Sequence, residues 1–246
     1  MRNFKLLLAY DGSRYKGWQR LGNSDQTIQG KLEAVLSRMV NAPVEVIGSG
    51  RTDAGVHAAG QVANFHAHTD MSTAEIRAYL QAYLPEDIGV LSVEEMDPRF
   101  HSRFHAKQKT YVYRIWHSDA PCVFERKYVW VNPEPLDLAA MKEGACRFLG
   151  THDFLAFCSN KHFKKSSVRT IYGLDIQQED HELRFTVTGD GFLYNMVRIM
   201  VGTLLAIGRG ERSADDIPAI MDGRVREQAG ETVPAKGLWL MEVLYP

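Results

Sequence analysis

The run Val44-Glu45-Val46-Ile47-Gly48-Ser49-Gly50-Arg51-Thr52-Asp53-Ala54-Gly55-Val56-His57 carries a short, largely β-branched stretch into a loop dense in glycine. Gln61 to His66 reads as the strand on the far side of that loop. Upstream, Phe4 to Tyr10 reads as a strand. Gln26 to Val40 reads as an amphipathic helix with Ile28, Leu32, Val35, Leu36 and Met39 on one face, ended by Asn41-Ala42-Pro43. Downstream, Ser72 to Tyr83 reads as a second helix. Ser72 is its N-cap, and Glu75 closes a capping box. Gly89 to Met96 closes the set, so the order is strand, helix, strand, strand, helix, strand.

The second half repeats that order. Thr110 to Trp116 alternates as a strand and Leu136 to Leu149 is helical. Thr170 to Gln177 and Leu183 to Thr188 form a hairpin around Glu179-Asp180-His181. Leu193 to Ile207 is a helix and Gly237 to Tyr245 the last strand. Two βαββαβ units in series predict an α+β fold of duplicated ferredoxin-like halves, with mainly antiparallel sheets joined edge to edge around a central cleft. The expected division is 1–97, carrying the Asp53 loop, and 98–246. The second part holds an insertion at 119–135, rich in proline, and an extra helix near 213–224.

At 246 residues with 45% hydrophobic and 24% charged content, the composition is that of a soluble globular protein. No signal-peptide pattern and no run of membrane-span length is visible. Cys122, Cys146 and Cys158 are odd in number and far apart, which argues against a disulfide framework or a Cys-x-x-Cys metal site. A cytoplasmic location is the expectation. The net charge of −1 does not flag a polyanion partner, but its distribution does. Three segments lack any carboxylate: Gly12 to Ser24 with Arg14, Lys16 and Arg20; Pro98 to Ser118 with Arg99, Arg103, Lys107, Lys109 and Arg114; and Phe154 to Leu174 with Lys161, Lys164, Lys165 and Arg169. Tyr15, Trp18, Phe100, Phe104, Tyr111 and Phe163 interleave with them. Basic, aromatic segments in a neutral chain point to a positive surface facing a polyanion.

The glycine loop has two readings. Asp53 caps the next element in a tight turn, or it is a presented carboxylate. Leu193 to Ile207 is apolar almost all round, so its Arg198 either snorkels outward or meets a carboxylate. Asp53 is the candidate partner. An ionised, oriented carboxylate facing a cationic surface suits a nucleophile or a base. Tyr111 either packs in the core or offers its ring to a base. Metal chemistry is weakly supported, because no carboxylate or cysteine accompanies His66 and His68, or His101 and His105, at ligand spacing. An aspartic hydrolase needs a second aspartate turn, and none is present. The loop lacks both the dinucleotide fingerprint and the Gly-Lys-Ser/Thr of a phosphate loop.

With these residues in view, the chain resembles the tRNA pseudouridine synthase A family over nearly its whole length. The resemblance rests on Tyr10-Asp11-Gly12, Gly17-Trp18-Gln19, Thr27-Ile28-Gln29 and the nine residues Gly50 to Ala58. It continues through Arg103-Phe104, Lys109-Thr110-Tyr111-Val112-Tyr113, Gly150 to Phe154, Arg169-Thr170-Ile171, Phe192 to Arg198, Gly202 to Leu205 and Gly237-Leu238-Trp239-Leu240. Ala82-Tyr83-Leu84 and His105 depart from the family pattern. The resemblance implies an isomerase acting on uridines at positions 38 to 40 of the tRNA anticodon stem-loop. It implies Asp53 as nucleophile, Tyr111 on the target base, Arg198 paired with Asp53, and Arg51 in the gap left by the extruded base. It also implies no cofactor, and a homodimer bridged by RNA. Arg14, Lys16, Arg20, Arg103, Lys107 and Lys109 are the expected phosphate contacts.

Overall fold

A computed structural model describes residues 1–160 and 165–246. Lys161, Phe163 and Lys164 of the third basic segment lie outside the described residues. The strands are β1 (Arg2–Tyr10), β2 (Val46–Gly48), β3 (His57–Ala67), β4 (Ile88–Met96), β5 (Gln108–Trp116), β6 (Trp130–Val131), β7 (Gly150–Asp153), β8 (Val168–Glu179), β9 (Glu182–Gly189) and β10 (Leu238–Leu244). The α-helices are α1 (Ile28–Val40), α2 (Thr73–Tyr83), α3 (Leu138–Arg147), α4 (Met196–Gly208) and α5 (Asp216–Gly223). The chain forms two units, Met1–Lys107 with Trp239–Pro246, and Gln108–Leu238.

In the first unit, β1 is antiparallel to both β4 and β3. The other edge of β3 is shared. β2 pairs antiparallel with Ala63 to Phe65, and β10 runs parallel beside His57 and Ala58. Phe4, Leu6, Leu8 and Tyr10 alternate into the core, and the Phe4 ring stacks on Phe65 at 5.3 Å. α1 starts at Thr27, whose hydroxyl accepts the Gly30 N–H at 3.2 Å, and ends at Asn41 in the left-handed region. It buries Ile28, Leu32, Val35 and Leu36, each worth about 1.5–3 kcal/mol of transfer energy. β3 starts at His57, four residues ahead of the expected Gln61. Ala58, Ala59 and Gly60 carry little strand propensity. Tertiary pairing to Tyr10 and Trp239 recruits the start of this strand.

In the second unit, β5 pairs with β9, β9 with β8 and β8 with β7, all antiparallel, while β6 runs parallel to β5. α4 begins at Met196 rather than Leu193, because Asn195 sits at φ 62°, outside the helical region. The expected insertion is irregular apart from β6. The extra helix appears as α5. The observed units differ from the division at residue 97. Asn3 binds Asp97 and Phe100 carbonyls, which keeps the 98–107 loop with the first unit, and β10 returns to β3. No helix of the described residues is long and apolar enough to cross a membrane.

Both halves of the α2 capping box form, with Ser72 Oγ accepting the Glu75 N–H and the Glu75 carboxylate accepting the Ser72 N–H. Ser72→Ala is expected to lower unfolding free energy by about 1 kcal/mol, read as a reduced denaturant midpoint with unchanged slope.

Candidate active site

Asp53 is half-buried, between buried Thr52 and exposed Ala54. Its backbone is fastened to the Gly12–Trp18 segment. Trp18 N–H donates to Thr52 O at 3.0 Å and Gly55 N–H to Tyr15 O at 3.3 Å, while within the loop Val56 N–H donates to Asp53 O at 3.1 Å. Two glycines permit this contact. Gly17 has φ +96°, and a Cβ there would lie 2.7 Å from Thr52 O; a Cβ on Gly12 would lie 2.0 Å from Val56 O.

Behind the loop lies a buried polar network. Tyr10 OH and Thr52 Oγ1 are 2.8 Å apart. Gln61 Nε2 donates to Gly50 O at 3.2 Å and to Tyr10 OH at 3.4 Å. Gln61 Oε1 accepts from Ser49 Oγ at 2.6 Å and from Val62 N–H at 3.1 Å. Burial pushes the Tyr10 hydroxyl up to about 12, so it stays a neutral hydroxyl at ordinary pH. His57, fully buried, accepts the Gly12 N–H on Nδ1 at 3.1 Å and stacks on Trp239 at 4.7 Å. The sequence reading missed Tyr10, Ser49 and Gln61 as supports. The available signal was a glutamine in a mainly apolar, small-residue stretch, where a buried amide requires partners.

In the second unit, Tyr111 lies on the buried face of β5, edge-on to Phe192 at 5.1 Å. Arg198 is the half-buried position of an otherwise buried α4. Its Nε donates to Val233 O at 2.7 Å and its Nη1 to Asn195 Oδ1 at 2.8 Å. The left-handed Asn195 thus caps the guanidinium as well as starting the helix.

The expected phosphate contacts divide. Arg14 donates through Nε and Nη2 to Asp87 Oδ2 at 2.9 and 2.6 Å. Arg20 donates to Glu33 at 3.0 Å. Lys16, Arg51, Arg103 and Lys107 are exposed and make no ion pair with the described residues. Lys109 is half-buried at the start of β5. Among the described residues no group of three or more His, Cys, Asp or Glu side chains is placed to hold a metal ion.

Comparison with known proteins bears on this arrangement. A sequence family described as tRNA pseudouridine synthase matches residues 7–105 and 145–246, which include Asp53, Arg51 and Arg198; Lys107, Lys109 and Tyr111 fall between the matched stretches. tRNA pseudouridine synthase A of Bacillus sp. (strain KSM-64) is 50% identical over 240 residues, covering 98% of both chains. tRNA pseudouridine synthase A of Acetivibrio thermocellus is 44% identical over 245 residues, covering 100% of both. A chain in a crystal structure of a Cbf5-Nop10-Gar1 complex aligns with 82% of this chain and 45% of its own length, at 14% identity and a TM-score of 0.36. On the family match and the near-complete coverage of its relatives, the chain belongs to the tRNA pseudouridine synthases, a family of isomerases.

Proposed function

We propose that this protein converts uridine to pseudouridine at positions 38 to 40 of the tRNA anticodon stem-loop, with Asp53 as the nucleophile. The observation that carries the reading is the Asp53 loop itself. Its half-buried carboxylate stands on backbone fastened from one side by Trp18 and Tyr15, and Thr52 beside it is held from the other by Tyr10. Preorganisation of this kind is what a covalent step needs. The reaction breaks the N1–C1′ bond, turns the uracil and forms a C5–C1′ bond. One proton leaves C5 and one is taken up at N1, so the formula is unchanged and no electrons are exchanged.

The target must leave its stack, which costs a few kcal/mol. Tyr111, its ring set edge-on to Phe192, faces the base, and such stacking returns about 1–3 kcal/mol. Arg51, exposed beside Asp53, takes the vacated space. Arg198 pairs with Asp53 and keeps it ionised. Within its own unit, the bonds to Val233 and Asn195 fix the guanidinium. Lys16, Arg103, Lys107 and Lys109 contact phosphates, and Arg14 and Arg20 contribute through side chains that stay exposed while paired. The reading includes cofactor-free chemistry, a cytoplasmic setting and a symmetric homodimer, the commonest oligomer. It also includes descent of both halves from one ferredoxin-like βαββαβ unit, supported by the antiparallel β4-β1-β3-β2 order of the first.

Asp53→Asn, which keeps shape and removes charge, is expected to bind tRNA as the unaltered protein does while losing pseudouridine formation. Chemical labelling of pseudouridine in a treated transcript reads the outcome, and turnover by the variant refutes the assignment. No product from the unaltered protein points to a binding module. Affinity is expected to fall linearly in log–log terms with salt, and Arg103→Ala to shallow that slope by about one. Filter binding across a salt series checks this, and a flat response contradicts the phosphate contacts.

A further inference from the structure

The loop from Pro98 to Lys107 is fixed at its base and bare at its tip. Asn3 Nδ2 donates to the carbonyls of Asp97 and Phe100 at 3.0 and 2.9 Å. Asn64 Oδ1 accepts the Ser102 N–H at 2.9 Å, and Asn64 Nδ2 donates to Asn3 Oδ1 at 3.1 Å. Ser102 Oγ donates to Ile47 O at 2.5 Å, and Tyr245 OH to Ser102 O at 2.6 Å. Asn3, Asn64 and Ser102 are all buried. Satisfied buried amides of this kind rigidify what they hold.

At the tip, Phe104 is 76% exposed. One face of its ring lies on His101, with centroids 4.1 Å apart and planes at 29°. The His101 ring is itself locked. Its Nδ1 accepts the N–H groups of Arg103 and Phe104 at 3.2 and 3.3 Å, which places the proton of the neutral ring on Nε2. Desolvation holds the His101 pKa below the ordinary histidine value, favouring that neutral ring. Arg103, next to Phe104 in the chain, and Lys107, three residues on, are both exposed, and Arg99 lies 3.6 Å from Asp97. A bare aromatic face on a rigid mount among cations matches a ligand with a flat face and a negative backbone.

We propose that the Phe104–His101 stack is a platform for one unpaired nucleobase of the RNA substrate, with Arg103 and Lys107 on the adjoining phosphates. The platform rests on the reading of tRNA as substrate and adds a subsite to it. Ser102 is tied to Ile47, the residue before Gly48, so the platform shares its mount with the strand that leads into the Asp53 loop. Every base has a π-face, so the subsite selects for an unstacked base rather than for a sequence. It therefore favours looped over fully paired RNA.

The test uses the full chain and an in vitro transcribed tRNA, with filter binding of the unaltered protein, Phe104→Ala, Phe104→Trp and Arg103→Ala. Phe104→Ala is expected to raise Kd about tenfold with the salt slope unchanged, and Phe104→Trp to restore affinity. Arg103→Ala serves as the contrast, because it lowers the slope. A Kd for Phe104→Ala within about twofold of the unaltered protein overturns the platform. So does a shift in oligomeric state on sedimentation that accounts for the lost affinity, which makes a second copy of the chain the occupant. Pseudouridine formation by the unaltered protein on the same transcript tests the parent reading separately. Its failure sinks that reading, whereas normal turnover with an unchanged Phe104→Ala Kd sinks the platform alone.

Discussion

Thr52 is where the site is held. Its carbonyl accepts the Trp18 N–H, and its hydroxyl meets Tyr10 OH inside the core. The residue that follows, Asp53, is thereby held by its neighbour's backbone on one side and its neighbour's side chain on the other. Gly12 and Gly17 exist in those forms because the 12–18 segment must approach the loop more closely than a Cβ allows. Removing the network would leave buried Gln61, Ser49 and Tyr10 without partners, at a cost that falls on the loop's position as well as on stability.

The same economy of supports recurs in the basic segments. Tyr15 and Arg14 both reach Asp87, so the segment that fastens the Asp53 loop is anchored near the end of α2. Arg20 reaches Glu33, which also accepts the Val46 N–H and so ties α1 to β2. Carboxylates missing from a segment's own sequence are supplied by the fold. Local positive charge in the chain is therefore an upper bound on positive charge at the surface.

This explains which parts were legible beforehand. The α2 capping box, the α1 stripe and the β8–β9 hairpin are written in neighbouring residues: the box forms as read, the stripe is buried except for half-buried Met39, and the hairpin strands run one or two residues past the read ends. The glycine density around Asp53 reads as a tight turn, and Gly55 does adopt a positive φ there; the close backbone approach to the loop depends instead on Gly12 and Gly17, far upstream. What was not legible depends on partners far along the chain. Examples are the early start of β3 beside Trp239, the Arg14–Asp87 pair across 73 positions, and the start of α4, set by one left-handed asparagine. β6 and β7 are too short for periodicity to register.

β3 is hydrogen-bonded along both edges, by β1 on one and by β2 and then β10 on the other. Amides enclosed in this way exchange with solvent only when the unit opens as a whole. The strand that leaves the Asp53 loop thus belongs to the slowest-opening part of its unit, while the loop tip at 104 stands clear of it. The tip is tied to the strands through Ser102, which bonds to Ile47 O and Asn64, so an exposed tip residue can be substituted without breaking a strand pairing.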